Sequence, residues 1–332
     1  MLSSYLSSFL VAIAAVSALP ADGAGPGRAV ASIEIDFPDP SIIQVGDTWY
    51  SFATNGNGVN VQFSSTKSVQ GSWARSAGYD ALPTLPAWAS ATRPEIWAPD
   101  VVQIGSGFVM YFAARKASNE AVHCIGTATS SSIQGPYTPS PNIFACDEAR
   151  GGSIDASGFY DPNAQKRFVT YKIDQNSLGS GGSCGNGNAP FVSTPIMLQE
   201  VAADGVTPVG GATQILDRVD IDGPLVEAPN LTILNGQYYL FFSSNCFGTP
   251  AYDISFAVSN SVYGPYTRRG PLLVTPQLSL MGPGGASVSN DGAYIVFHAG
   301  VVGARTMYAG KIDQQGGTQI QVCTSTACQV AS

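Results

Sequence analysis

Internal repetition constrains this chain more than any local propensity. A unit that recurs along a chain buries its apolar face by stacking on copies of itself. Three segments close alike: Ser64 to Trp73 (SSTKSVQGSW), Thr127 to Thr138 (TATSSSIQGPYT) and Ala257 to Thr267 (AVSNSVYGPYT). A second signature opens each unit with small or acidic residues, an apolar pair, a Gly turn and an aromatic-rich alternating run. It reads DPSIIQVGDTWYSF from Asp39, DVVQIGSGFVMYF from Asp100 and NLTILNGQYYLFF from Asn230, with weaker copies DASGFYDPNAQKRFVTY from Asp155 and ASVSNDGAYIVFH from Ala286.

Each interval has room for about four strands. Runs such as Trp49-Tyr50-Ser51-Phe52 and Tyr238 to Phe242 have the period of a strand, and no long stretch sustains a helical apolar period, so helices are expected to be scarce. The 37 Gly and 22 Pro suit many tight turns. Five units therefore predict an all-β, five-bladed propeller with about four antiparallel strands per blade, closed by the strand around Arg305 to Ile312. In such a ring, equivalent positions at the start of each inner strand converge on one mouth of the axial channel.

The ends and the composition narrow the setting. Phe9 to Val16 is an apolar run followed by Val16-Ser17-Ala18, the small-residue spacing of a signal-peptidase site. Residues 1–18 are read as a signal peptide, 19–26 as a short linker and 27–332 as the propeller domain, secreted and extracellular. No stretch reaches the roughly 20 apolar residues a membrane span needs. A net charge of -8 without a Lys/Arg cluster excludes a phosphate-reading surface, so no nucleic-acid partner is expected. The protein is expected to act as a monomer on a neutral polymer.

Six cysteines suit an oxidising compartment. Six cysteines allow fifteen pairings, among which proximity favours Cys323 with Cys328 and Cys124 with Cys146, leaving Cys184 with Cys246. The sequon Asn230-Leu231-Thr232 lies so close to Glu227 that Asn230 is expected to carry no glycan.

When the units are overlaid on their apolar pairs, Asp39 and Asp155 take similar offsets and Glu227 falls about one residue earlier. Any one of them alone reads as a turn or strand-end cap. Three at matching places in different blades predict carboxyls facing one cavity. Crowded carboxylates repel, so one is expected to keep its proton, and a proton donor beside an ionised carboxylate is what glycoside hydrolysis requires.

FPDPSII near the mature start, WAPDVV in the second unit, SIDASGFYD in the third, EAPNL in the fourth and RTMY near the end together resemble glycoside hydrolase family 43 over nearly the whole mature chain. The resemblance implies an inverting mechanism on arabinose- or xylose-containing plant polysaccharides. It also implies Asp39 as general base, Glu227 as general acid and Asp155 as the residue that orients the acid and adjusts its pKa. Asp100 in Trp97-Ala98-Pro99-Asp100 is read as a strand cap, because the family's third acid lies in the Ile-Asp motif of the third unit. Trp97, Arg305 and His298 are candidate substrate contacts, Trp97 as a stacking face and Arg305 as the family's late arginine. The other histidine, His123, reads as structural.

No cofactor is expected. The family often has a His after a Gly-Pro-Gly turn that helps to hold a central calcium, but Gly285 stands there, so no metal ligands are assigned.

The leading expectation is an exo-acting α-L-arabinofuranosidase or β-xylosidase, with the Gly/Ser-rich insertion Asn176 to Asn188 walling off one side of the pocket. The alternatives are an endo-1,5-α-L-arabinanase with an open cleft, and a propeller that binds sugars without cleaving them.

Overall fold

The structure is a computed structural model that describes residues 28–331; the signal peptide and the linker expected over 1–26 lie outside the described residues. The described residues form 21 strands, many of them buried along most of their length, and their helical turns are 3₁₀ segments of three or four residues.

The strands make five antiparallel meanders. Blade I is β1 (Ile43–Val45), β2 (Thr48–Ala53), β3 (Gln62–Thr66) and β4 (Ala74–Arg75). Blade II is β5 (Trp97–Ile104), β6 (Gly107–Lys116), β7 (Asn119–Ser130) and β8 (Thr138–Ala145). Blade III is β9 (Ser153–Asp161), β10 (Lys166–Ile173), β11 (Ile196–Val201) and β12 (Thr213–Leu216). Blade IV is β13 (Val226–Leu234), β14 (Gln237–Ser244), β15 (Asp253–Ser259) and β16 (Thr267–Leu273). Blade V has a fifth strand: β17 (Gly284–Val288), β18 (Tyr294–Ala299), β19 (Thr306–Gly316), β20 (Gln319–Cys323) and β21 (Cys328–Val330).

Each blade is apolar on both faces, so the buried surface divides into five seams rather than one core. Ile43, Phe52 and Phe63 meet Val101, Phe112 and Tyr137 between blades I and II. Tyr111 and Ile125 meet Val169 and Ile173 between II and III. Phe159 and Phe168 meet Leu231 and Phe242 between III and IV, and Phe241 and Phe256 meet Phe297 and Val322 between IV and V. The fifth seam joins Phe37, Trp49 and Trp73 to Val296, Met307 and Ala309, which makes the arrangement a closed five-bladed β-propeller. At about 1.5–3 kcal/mol for each large side chain withdrawn from water, these seams are the main source of stability.

The strand around Arg305 to Ile312 does close the ring, but it is β19, the third strand of blade V and not the last, since β20 and β21 follow it. Its partner in the closure is the start of the chain. Ile33 exchanges amide hydrogen bonds with Met307, at 3.2 and 3.3 Å, and the Phe37 N–H donates to the Arg305 carbonyl at 3.0 Å. The free upper edge of β19 accepts this segment because β20 pairs only with its lower half.

The three disulfides are Cys124–Cys146, Cys184–Cys246 and Cys323–Cys328, the expected set.

Candidate active site

The start of every inner strand carries the same backbone irregularity. Asp39, Ala98, Asp155, Ala228 and Gly285 all have positive φ, at 52°, 42°, 58°, 50° and 57°. Register slips at these points in blades II to V. In blade I, Thr54 N–H donates to Pro38 and Ser41 N–H to Phe52, skipping Asp39 and Pro40 in the same way. A bulge re-aims side chains, and a left-handed non-glycine residue is strained and persists only where its surroundings hold it.

The equivalent tripeptides are thus Asp39-Pro40-Ser41, Ala98-Pro99-Asp100, Asp155-Ala156-Ser157, Ala228-Pro229-Asn230 and Gly285-Ala286-Ser287, which together line an axial cavity of ≈ 40 Å³. Sequence overlay had placed the blade starts at Asp100, Asn230 and Ala286. The bulge shifts them by two, two and one residues, and leaves Glu227 one residue before its blade's turning point, the offset expected for it.

In blades II to V the third residue of the tripeptide stitches neighbouring blades around the axis. Asn230 Nδ2 donates to Ser157 Oγ at 2.9 Å and its Oδ1 accepts the Val288 N–H at 3.0 Å. It is buried, with no room for a glycan. Asp100 Oδ2 accepts the Gly158 N–H at 2.8 Å. It therefore braces β9 of the next blade, besides bonding the Val101 amide of its own strand. Burial pushes its carboxyl up to about 6, against the opposing pull of those N–H groups.

Above the bulges, Asp39, Asp155, Glu227, Trp97 and Arg305 line one pocket of ≈ 200 Å³. Asp39 is held from three sides. Thr54 Oγ1 donates to its Oδ2 at 2.6 Å and itself accepts the Ala98 N–H at 2.9 Å. Arg305 Nη1 lies 3.8 Å from the same oxygen, and the Asp39 N–H donates to His298 Nδ1 at 3.0 Å. Burial pushes this carboxyl up, but the Arg305 guanidinium and the Thr54 hydroxyl outweigh it, and its pKa lies below the usual carboxylate value.

Asp155 goes the other way. Burial and then the nearby Glu227 carboxylate push it up to about 8, against the pull of Lys172 and of the Ala228 N–H that donates to its Oδ2 at 3.0 Å. The pocket thus holds an ionised carboxylate, Asp39, on one wall and two crowded carboxyls, Asp155 and Glu227, on another, where burial and mutual repulsion favour keeping a proton. Glu227 accepts from Tyr252 Oη at 2.8 Å through Oε1 and from Lys172 Nζ at 3.0 Å through Oε2.

Trp97 is backed by His123, with ring centres 3.6 Å apart and 19° between planes. Arg305 lies over the ring of Phe247, which is 46% exposed on the pocket rim.

His298 does not line the pocket. Its side chain is fully buried behind Asp39 and stacks on Tyr252, so the expected substrate contact gives way to a supporting position. Burial lowers its pKa to about 4, so the ring is neutral at pH 7. Because Nδ1 accepts from Asp39, the proton sits on Nε2, which is buried without a protein partner.

The axis does not fit a central cation. Nε2–H of His298 is a donor and not a ligand, and no group of three or more His, Cys, Asp or Glu suited to a metal occurs among the described residues. A Cβ on Gly285 would fall 2.6 Å from the His298 ring and 2.8 Å from Asp39 Oδ1. No side chain fits there while His298 holds Asp39.

The insertion 176–188 contributes no residue to the pocket, contrary to expectation. It is fastened to the fold elsewhere: Asn186 Nδ2 donates to Val192 and Pro224 carbonyls, and Cys184 is bonded to Cys246, next to Phe247.

Lys172, Tyr252, Thr54 and Phe247 were not anticipated. Lys172 had a signal, a cation inside the apolar strand Phe168-Val169-Thr170-Tyr171-Lys172-Ile173. The others come from blade edges and loops that carry no pattern.

The description "Glycosyl hydrolases family 43" matches residues 32–317. A probable arabinan endo-1,5-alpha-L-arabinosidase A from Aspergillus flavus is 29% identical over 307 residues, covering 89% of this chain and 83% of that one. The extracellular endo-alpha-(1->5)-L-arabinanase 1 of Bacillus subtilis is 28% identical over 302 residues, with coverage of 85% and 84%. Among solved structures, a thermostable family-43 glycoside hydrolase superposes with a TM-score of 0.69 at 21% identity, covering 91% of this chain and 96% of that one. The native Bacillus subtilis arabinanase gives 0.64 at 20% identity, covering 85% and 96%. With a match over nearly the whole propeller, this chain belongs to family 43 of the glycosyl hydrolases, inverting enzymes that cleave O-glycosyl bonds in arabinose- and xylose-containing polymers.

Proposed function

We propose that the protein is a secreted endo-1,5-α-L-arabinanase in which Asp39 is the general base, Glu227 the general acid and Asp155 the residue that orients the acid. The observation that carries the chemistry is the convergence of three carboxyls on one pocket, with Asp39 kept ionised on one wall and Asp155 crowded against Glu227 on another. Asp39, kept ionised by Arg305, takes a proton from a water that attacks the anomeric carbon. Glu227, in its protonated form, gives its proton to the departing glycosidic oxygen as the C–O bond breaks. Attack from the face opposite the leaving group inverts the configuration. Solvent then removes the proton from Asp39 and returns one to Glu227.

Endo action replaces the exo reading for two reasons. The insertion expected to close the pocket contributes nothing to its wall, and two relatives matched over more than four-fifths of both chains are named endo-acting arabinanases. Trp97 and Phe247 offer flat surfaces on which neighbouring pentoses of a linear chain stack. Secretion accords with three disulfides and with a relative named as extracellular.

The test is the product profile on debranched arabinan. Endo action releases a ladder of oligosaccharides in the first minutes. Arabinose alone at that stage, or turnover confined to nitrophenyl arabinofuranoside or xyloside, restores the exo reading. Binding without turnover on any substrate of a plant-polysaccharide panel restores the non-catalytic one.

A further inference from the structure

Lys172 is the one lysine among the largest fully buried side chains, at 1% exposure. Strand alternation places it there. On β10, Val169, Tyr171 and Ile173 face the seam with blade II, while Phe168 and Thr170 face blade IV, Thr170 Oγ1 donating to the Pro229 carbonyl. Lys172 shares that second face and reaches Glu227 Oε2 at 3.0 Å and Asp174 Oδ1 at 3.1 Å. A buried ion pair contributes little net stability compared with apolar packing of the same volume, and Asp174 alone already neutralises the ammonium. The second acceptor is the carboxyl read as the proton donor.

We propose that Lys172 is a positioning residue for the acid: its ammonium, divided between Glu227 and Asp174, orients the Glu227 carboxyl and sets the alkaline pH at which hydrolysis is lost.

The proposal rests on the reading of Glu227 as proton donor. Both Glu227 oxygens have a hydrogen-bond partner, Tyr252 Oη at Oε1 and Lys172 Nζ at Oε2, which fixes the plane of the carboxyl. When Glu227 takes up a proton, Lys172 keeps Asp174 and is not left as an unpaired buried charge. The other groups facing this cluster are Asp155 on blade III, Tyr252 on blade IV, and Asp39 and Arg305 across the pocket, with His298 stacked behind Tyr252. None of these is altered by the test.

Two variants move the alkaline limb of the kcat/KM profile in opposite directions. Lys172→Met removes a charge that opposes protonation of Glu227, so the limb rises by about one pH unit or more, while loss of orientation lowers kcat by about tenfold or more with KM nearly unchanged. Asp174→Asn leaves the ammonium to Glu227 alone, so the limb falls. Infrared titration of the carboxyl band that disappears in Glu227→Gln reads the same shifts without a substrate, so the proposal remains testable if arabinan is not cleaved. Should Lys172→Met lose its cooperative melt, Asp174→Asn carries the test. Limbs and bands that stay in place, or that move in the same direction in both variants, overturn the proposal, as does a Lys172→Met variant whose only change is a raised KM.

Discussion

The main-chain N–H of Asp39 donates to Nδ1 of His298, 259 positions later, at 3.0 Å. Asp39 sits in a left-handed conformation at φ 52°, which a non-glycine residue keeps only when its surroundings hold it. His298 supplies that hold across the seam that closes the ring. His298→Ala is expected to lower kcat at least about tenfold through misplacement of the base, with KM nearly unchanged, and to destabilise the fold by about 1–3 kcal/mol through an unsatisfied buried amide. Steady-state kinetics with calorimetric melts checks both.

The same histidine gives stability a pH dependence of known sign. Its folded pKa is lowered to about 4, below the value of about 6.5 for an exposed ring. Between those values the unfolded chain binds the extra proton, so this contribution is complete above about pH 6.5 and is lost as pH falls towards 4. The Tm difference between wild type and His298→Gln should narrow across that window; a constant difference would contradict the neutral buried ring.

Asp155 predicts the opposite slope. Its folded pKa is raised from 3.8 to about 8, so the folded state retains a proton that the unfolded chain has released, and its ionisation destabilises the fold progressively from about pH 4 to pH 8. Asp155→Asn should therefore gain stability relative to wild type as pH rises through that range, while turnover falls by roughly 10² fold. Thermal melts at several pH values between 4 and 8 measure the slope.

The two other carboxyls are separable by leaving group. Nitrophenolate departs without a proton, whereas a sugar hydroxyl needs one. Glu227→Gln should cut turnover of arabinan by about 10² to 10⁴ fold and spare nitrophenyl arabinofuranoside to a much greater degree. Asp39→Asn, which removes activation of water, should depress both equally. Equal losses in both variants on both substrates would remove the assigned roles.

The Cys184–Cys246 disulfide closes a loop with a sequence separation of 62 and ends beside Phe247. Replacing both cysteines by Ser should destabilise the fold by roughly 2–5 kcal/mol and raise KM on arabinan, with kcat close to wild type, because Phe247 lies on the pocket rim and not at the carboxyls. Urea melts and Michaelis kinetics test the two effects.

The blade count and the position of Asp39, Asp155 and Glu227 could be read before any coordinates, because repetition and period-two alternation are local patterns and a ring follows from stacking equal units. Asp100 shows the limit of that reading. Its apolar neighbours align with those after Asp39, yet the bulge at Ala98 turns it away from the substrate pocket and into the axial girdle. A bulge is one residue of register, and nothing in an apolar pair marks on which side of it the extra residue falls. His298 failed for a related reason: an alternating strand tells which residues face the channel, but not which of them another side chain covers.

The sequence alone determined the number of blades and the three acidic positions, both of which depend on spacing along the chain. Tertiary structure decided the protonation of those acids, the burial of His298, the partnership of Lys172 with Glu227 and the closure of the ring by residues before blade I. Each depends on what a group meets across a seam between blades, where charge, desolvation and hydrogen bonds from residues far apart in the chain act on the same few atoms.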